Sequence, residues 1–242
     1  MAHLMSAVPG PLSEALLALQ QGRFVLVYDS DDRERETDFI IPAKAVTPEH
    51  VRTMRKDGGG LVFLAVDHEL HTRLGLPYMQ DLMAENSAAH PVFKHLVPND
   101  VKYDARSAFS GWINHRNTYT GITDSDRALT ARRFGELADD ILQLQNGHAL
   151  ELFGKEFRSP GHVPVCSATA APLTTRFGHS ELSIALLQMA GVTPVALGCE
   201  MLGDDGKALS KSASRAYAAQ HDYPFLEGRQ IIEAWRAGRW SA

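Results

Sequence analysis

Three short apolar runs constrain the fold of this 242-residue chain more than any other feature. Residues 23–29 (RFVLVYD), 60–66 (GLVFLAV) and 193–201 (TPVALGCEM) are compact and apolar, the first two rich in β-branched and aromatic side chains. Runs of that length and type read as buried strands. Residues 38–46 suggest a further strand interrupted by Pro42, and partial alternation over 107–121 suggests one that leads into a turn. Helical patterns lie between them. Residues 12–21 form a short helix that stops at Gly22. Thr47 caps a second, with Pro48 at its first position and Gly58 at its stop. Residues 123–145 give a long helix capped at Thr123 or Asp124. In 178–192, Leu182, Ala185, Leu186 and Met189 fall on one helical face. Two helices close the chain at 211–220 and 227–237. Residues 76–103, with Pro77, Pro91 and Pro98, read as irregular structure with short elements. Strands and helices mix without strict alternation. That pattern predicts an α+β fold, a single-domain mixed sheet with surrounding helices over 11–242, after a frayed tail at 1–10.

Hydrophobic residues at 44% exclude a disordered chain, and no apolar run approaches the ~18 residues of a membrane span. A net charge of −5 argues against a general nucleic-acid binder. Residues 1–11 lack the basic and apolar regions of a secretory signal. Cys166 and Cys199 are too few for a disulfide framework or a thiolate zinc site, and they read as buried thiols of a cytoplasmic protein.

The charge is local. Residues 29–38 (DSDDRERETD) hold six carboxylates and two arginines, a net of −4 out of the chain's −5. Read alone, such a run is a solvated turn. Placed directly after a buried strand, it is also where a rigid scaffold hands a loop to a ligand. Clustered carboxylates repel unless an arginine or a cation neutralises them, and Mg²⁺ accepts one or two such oxygens.

A second group, Arg176, Phe177, Gly178, His179 and Ser180, stands at a helix start. Helix N-termini bind anions, Gly178 permits close approach, Ser180 offers a capping hydroxyl, and Arg176 suits a phosphate. His179 could serve as a metal ligand or base, or simply lie on the surface. His162 sits on a Pro-Gly turn, and Glu200 ends a strand before an Asp-Gly turn; each alone is as readily structural as functional.

Together these segments resemble the 3,4-dihydroxy-2-butanone 4-phosphate synthase family, particularly its archaeal, monofunctional form. The resemblance runs from about residue 22 to 235. It rests on DSDDRERETDFI, TPEHVRTMRKDGGGLV, NHRNTYTGITDSDRALT, GKEFRSPGHV, RFGHSE and CEMLGDDG, in that order. It implies a metal-dependent lyase of riboflavin precursor synthesis. The reaction would turn D-ribulose 5-phosphate into 3,4-dihydroxy-2-butanone 4-phosphate and formate. It also implies Mg²⁺ or Mn²⁺, two ions per site, and a cytoplasmic homodimer with active sites at the interface. Carried over residue by residue, Glu34 and His179 match metal ligands. Arg33, Glu34, Asp38, Thr120, Arg176, Phe177, Gly178, His179, Ser180 and Glu200 match substrate-binding positions. His162, Glu200 and Asp38 match the catalytic group, with Asp29 and Glu181 as supporting members.

The chemistry suits these residue types. Removing the proton beside the carbonyl of a ketose phosphate needs a placed base and an electrophile for the enediolate oxygens. Loss of water, a skeletal shift and release of formate would follow. The sequence also departs from the family pattern. Phe63 stands where archaeal members carry a cysteine, Ser167-Ala168 and Ala171-Pro172 replace an Arg-Ala pair and glycines, and Ser180 replaces a threonine. Arg35 is expected to neutralise the acidic loop. These wall changes keep open a divergent enzyme acting on a related sugar phosphate or stopping at a partial reaction. A non-catalytic phosphosugar binder is the third reading.

Overall fold

A computed structural model describes residues 10–97, 100–144 and 148–238. The chain starts with α1 (Pro11–Gln20), followed by β1 (Val25–Tyr28) and β2 (Thr37–Pro42). The tail expected at 1–10 lies outside the described residues except for Gly10, which is exposed. Next come α2 (Pro48–Thr53), β3 (Phe63–Val66), α3 (His68–Arg73), α4 (Met79–Glu85) and β4 (Phe109–His115). The second half holds α5 (Asp124–Gln143), α6 (Ala149–Glu156), β5 (Phe157–Ser167), α7 (His179–Met189), β6 (Val195–Glu200), α8 (Lys211–Gln220), β7 (Phe225–Glu227) and α9 (Gly228–Ala237).

The strands make one seven-stranded mixed sheet in the order β4-β5-β3-β6-β2-β1-β7. β1 pairs parallel to β7 and β3 parallel to β5, and the remaining pairs are antiparallel. The expected strands are all present, and β1, β2 and β3 are buried along their whole length. Helices cover both faces, as strands buried on both sides require.

Strand alternation sends successive side chains to opposite faces. Leu26, Phe39, Ile41, Leu64, Val165, Leu197 and Cys199 join one apolar cluster with residues of α2 and α5. Val25, Val27, Ile40, Phe63, Ala65, Cys166 and Ala196 join another with residues of α1, α7 and α9. Thr47 caps α2 with a reciprocal box in which the His50 side chain takes the Thr47 N–H at 3.2 Å. Thr123 caps α5, its hydroxyl receiving the Asp126 N–H at 3.1 Å. Among the described residues no helix is long and apolar enough to cross a membrane.

Three expectations change. The one-faced helix at 178–192 is α7, buried on nearly every side between α1, α9 and β3. Its first turn therefore carries polar groups into the interior. Its N-cap is Gly178 with no side-chain cap, so Ser180 is not the capping residue. The Pro-Gly turn around His162 is part of β5, where the pairing with β4 is irregular and the Ser159-Pro160 bond is cis.

Candidate active site

The acidic loop is folded by Asp29. Its carboxylate accepts the Glu34 N–H at 2.8 Å and the Glu36 N–H at 3.1 Å, which turns the chain back into β2. The outer half of the loop is tied to α8, where Lys211 meets Asp31 at 3.0 Å. Arg35 does not neutralise the cluster as expected; its Nε binds the Asp31 carbonyl at 2.6 Å. Arg33 does so instead, 2.8 Å from Glu34 and 3.6 Å from Asp29.

β2 and β6 place Asp38 opposite Glu200 in register. α7 delivers His179 between them and the loop. Its Nδ1 lies 3.2 Å from Glu34, and its Nε2 donates to the Val27 carbonyl at 3.2 Å and lies 3.5 Å from Asp38. Glu200 accepts the Leu61 N–H at 2.7 Å. Arg176 pairs with buried Glu181 at 2.6 Å, and Glu181 also receives the Thr169 N–H at 3.1 Å. Both guanidinium groups crowd onto Gly178: a Cβ there would lie 2.7 Å from Arg33 Nη2 and 3.2 Å from Arg176 Cζ. The absent Cβ leaves room there for the two guanidinium groups.

A cavity of about 170 Å³ opens among these groups, lined by Glu34, Asp38, Arg176, His179, Ser180 and Glu200 together with Phe63 and Cys166. Phe63 lies on Gly198, whose Cβ would meet the ring at 2.7 Å, so the aromatic side chain forms a fixed wall. Burial pushes the Cys166 thiol up to about 12, which keeps it protonated.

The electrostatics are those of a crowded anionic pocket. Burial raises Asp38 well above the ordinary carboxylate range; Glu200, Glu34 and Glu36 add to this, and His179 only partly offsets it. Burial likewise raises Glu200, against the pull of backbone N–H groups. Burial also works against a charge on His179, but Asp38, Glu34 and Asp29 outweigh it and lift the imidazole to about 9. Glu34 stays below its usual value, because His179 and Arg33 overcome its desolvation.

This donor set fits a divalent cation. One ligand atom each from Asp29, Glu34 and His179 lie within 4.8 Å of one another. Both Asp38 oxygens are buried without a hydrogen-bond partner, which a bound cation would relieve. With Nε2 donating to Val27, the His179 Nδ1 is the ring atom that faces Glu34, the usual orientation of a ligating imidazole. Asp29 already spends both oxygens on the loop backbone, so Glu34 and His179 are the better ligands.

Not every expected residue is in the cavity. Arg33, Glu34, Asp38, Arg176, Gly178, His179, Ser180 and Glu200 gather around it. Phe177 instead lines a neighbouring cavity of about 530 Å³ against α9, with Arg236 over its ring at 5.8 Å. Thr120 and His162 are exposed and line neither cavity. They meet at Asn114, which binds the Thr120 carbonyl at 3.3 Å and receives the His162 N–H at 2.8 Å. Sequence reasoning missed Asp104, whose carboxylate lies against Arg33 and, at 2.9 Å, against Arg176. A lone acid in an irregular segment carries no periodicity or motif to mark it.

The chain is similar to known proteins of a single description. A family model described as 3,4-dihydroxy-2-butanone 4-phosphate synthase matches residues 13–234. The synthase of that name from Methanosarcina mazei is 50% identical over 227 residues, covering 93% of this chain and 90% of its own length. The one from Methanothermobacter thermautotrophicus is 49% identical over 225 residues, covering 93% and 95%. A solved structure of a 3,4-dihydroxy-2-butanone 4-phosphate synthase in complex with two magnesium ions has a TM-score of 0.70 at 25% identity, covering 94% of this chain and 98% of its own.

Proposed function

The chain belongs to the 3,4-dihydroxy-2-butanone 4-phosphate synthase family of lyases, which serves riboflavin precursor synthesis, and from that premise we propose the reaction it carries out. The substrate is D-ribulose 5-phosphate, and the products are 3,4-dihydroxy-2-butanone 4-phosphate and formate. The observation that carries this reading is the pairing of Asp38 with Glu200 in a cavity that also holds Glu34 and His179. Carboxylates whose affinity for protons is raised by burial are suited to take and return protons near neutral pH.

Glu34 and His179 would hold Mg²⁺ or Mn²⁺, two ions as in the magnesium-bound relative, and the metal would supply a Lewis acid for the substrate's hydroxyl and carbonyl oxygens. Arg176, with the free N–H groups at the start of α7 and the Ser180 hydroxyl, binds the phosphate. Arg33 holds Glu34 in place and adds positive charge beside it. Asp38 or Glu200 takes the proton next to the ketose carbonyl to form the enediolate. The other returns a proton as the hydroxyl leaves and the carbon skeleton shifts. Attack by water then releases the fourth carbon as formate.

Residues 11–242 act as one catalytic domain. Two buried thiols and no disulfide suit a reducing, cytoplasmic setting. Thr120 and His162 belong to the site of a second copy in a homodimer. What supports this is their place: exposed, held together by Asn114, and outside the chain's own cavity. His162 would then relay protons from the partner.

The test is formate release from ribulose 5-phosphate by the purified protein with Mg²⁺. It should stop on chelation and in both Glu34→Ala and His162→Ala, and mixing the two variants should restore part of it. No formate, with substrate still consumed, would overturn the assignment in favour of a related reaction. Phe63, a ring at the cavity wall in place of a thiol, is the observation that favours that second reading. Unmixed and mixed variants of equal, negligible activity would sink the shared-site arrangement.

A further inference from the structure

The cavity is small for a ligand site. Sites for small ligands run to about 300 Å³ or more, and this one holds about 170 Å³. Its roof is a strap, residues 101–107, which has no regular secondary structure. Beyond the strap lies the cavity of about 530 Å³, which Tyr103, Asp104 and Arg176 border too and Arg33 borders from its own side. Tyr103 and Asp104 thus form a partition between two spaces that would be continuous without them.

The strap is fastened at both ends. The strap's far end is anchored to α4, where Arg106 stacks over Tyr78 at 3.6 Å and pairs with Asp81 at 3.4 Å. Its near end touches the site through Tyr103 and Asp104. The Tyr103 ring lies 5.2 Å from the Arg33 guanidinium. A single Asp104 oxygen, Oδ2, receives Arg33 Nη2, Arg176 Nε at 3.1 Å and Arg176 Nη2 at 2.9 Å. The Asp104 side chain is 10% exposed, whereas Lys102, Tyr103 and Ala105 around it are open to solvent. An exposed strap therefore inserts one carboxylate oxygen between two guanidinium groups that themselves crowd onto Gly178 at the start of α7. That is the place a phosphate oxygen would take.

Asp104 is not needed to hold the arginines. Arg176 is fixed on its other side by Glu181 at 2.6 Å, and Arg33 by Glu34 at 2.8 Å. Glu181 belongs to α7 and Glu34 to the acidic loop, both outside the strap. We infer that Asp104 is a built-in stand-in for the substrate's phosphate, displaced together with residues 101–105 when a phosphorylated sugar enters. The inference deepens the phosphosugar reading above and rests on it. A phosphate brings more charge and three terminal oxygens, so each guanidinium gains its own partner. It cannot share the space with Asp104, because two anions would face each other in a poorly solvated pocket. The exchange is one anion for another, and it joins the two cavities. It also makes Asp104 a specificity determinant: a sugar without a phosphate gives the arginines nothing in return for the carboxylate it must dislodge.

The test is Asp104→Asn in the full-length protein with Mg²⁺. The variant should bind inorganic phosphate and ribulose 5-phosphate roughly tenfold more tightly, the loss of one competing charge-assisted contact. The KM for ribulose 5-phosphate should fall by a similar factor, and discrimination against unphosphorylated ribulose should narrow. In the wild type, saturating phosphate should quicken tryptic cutting after Lys102. Unchanged or weaker phosphate binding in the variant, with a raised KM, would show that Asp104 only positions the arginines and would overturn the inference alone. Slower cutting with phosphate would overturn displacement of the strap. Binding of neither ligand by either protein would overturn the inference and the phosphosugar reading together.

Discussion

The two faces of the sheet divide the labour of this molecule between neighbouring residues. Phe39 and Cys199 point to the face covered by α2 and α5, and each sits in a closed apolar cluster. Asp38 and Glu200, one residue away in the same two strands, point to the face covered by α7 and line a cavity. Each face also has a half-buried or buried histidine, and the two shift in opposite directions. Burial holds His50, packed against Phe24 at 5.1 Å, below its usual value. His179, facing three carboxylates, is lifted to about 9 despite its burial. The lesson is that period-two alternation lets one strand serve stability and chemistry at once, provided that neither face depends on the other.

The comparison breaks most readily at Phe39. It is fully buried and makes edge contacts with Phe24 at 5.1 Å and Tyr217 at 5.8 Å. Phe39→Ala should cost about 3–5 kcal/mol of stability by urea unfolding. The metal site should survive, with Mg²⁺ affinity unchanged under conditions where the variant stays folded. A large loss of Mg²⁺ affinity would mean that the faces are coupled through the strand.

Asp38→Asn probes the adjacent residue and should give the opposite sign. The variant should lose more than ~100-fold in turnover, the ordinary share of a placed acid or base. Without metal it should gain about 1 kcal/mol in stability, because a buried carboxylate with no hydrogen-bond partner is removed from a like-charged cluster. Thermal unfolding of the metal-free protein checks this. A destabilised variant would mean that the Asp38 charge is already well compensated by His179.

This division explains what the sequence made legible. Apolar runs and helix caps depend on neighbours in the chain, so β1, β3, β6, α5 and the two last helices stand where periodicity and capping place them. The cluster of Arg33, Glu34, Asp38, His179 and Glu200 was legible through the ordered motifs, since Arg33 and Glu34 fall in the acidic loop and the other three at a strand end or helix start. The rest depends on contacts distant in sequence. β5 is hidden because Pro160 and Gly161 argue for a turn, and its pairing with β4 on one side and β3 on the other keeps the strand extended. The all-round burial of α7 follows from α1 and α9 closing over it, which no helical wheel contains. Asp104 gains meaning only from arginines 71 and 72 residues away. Phe177 faces α9 rather than the metal side, a direction that spacing alone does not fix.

The smallest expected effect lies with His50, and it tests whether the packing face excludes charge as thoroughly as the other face uses it. His50 accepts the Thr47 N–H through Nδ1, a bond that only the neutral ring can make. Its folded-state value is lowered by burial, with Glu49 only partly opposing. The unfolded chain therefore binds a proton at higher pH than the folded one. Stability from this group is fully present above the unfolded value near pH 6.5, and is lost as pH falls through the lowered folded value. The ring is partly exposed, so solvent screening limits the effect to a few tenths of a kcal/mol. His50→Gln keeps an acceptor at the third position of the capping box but cannot titrate. It should flatten the slope of stability against pH below about 6.5 while leaving stability at pH 8 nearly unchanged. An identical slope in the variant would mean that His50 stays neutral or charged in both states. The packing face would then owe nothing to charge exclusion at this position, and the contrast with His179 would rest on the anionic cavity alone.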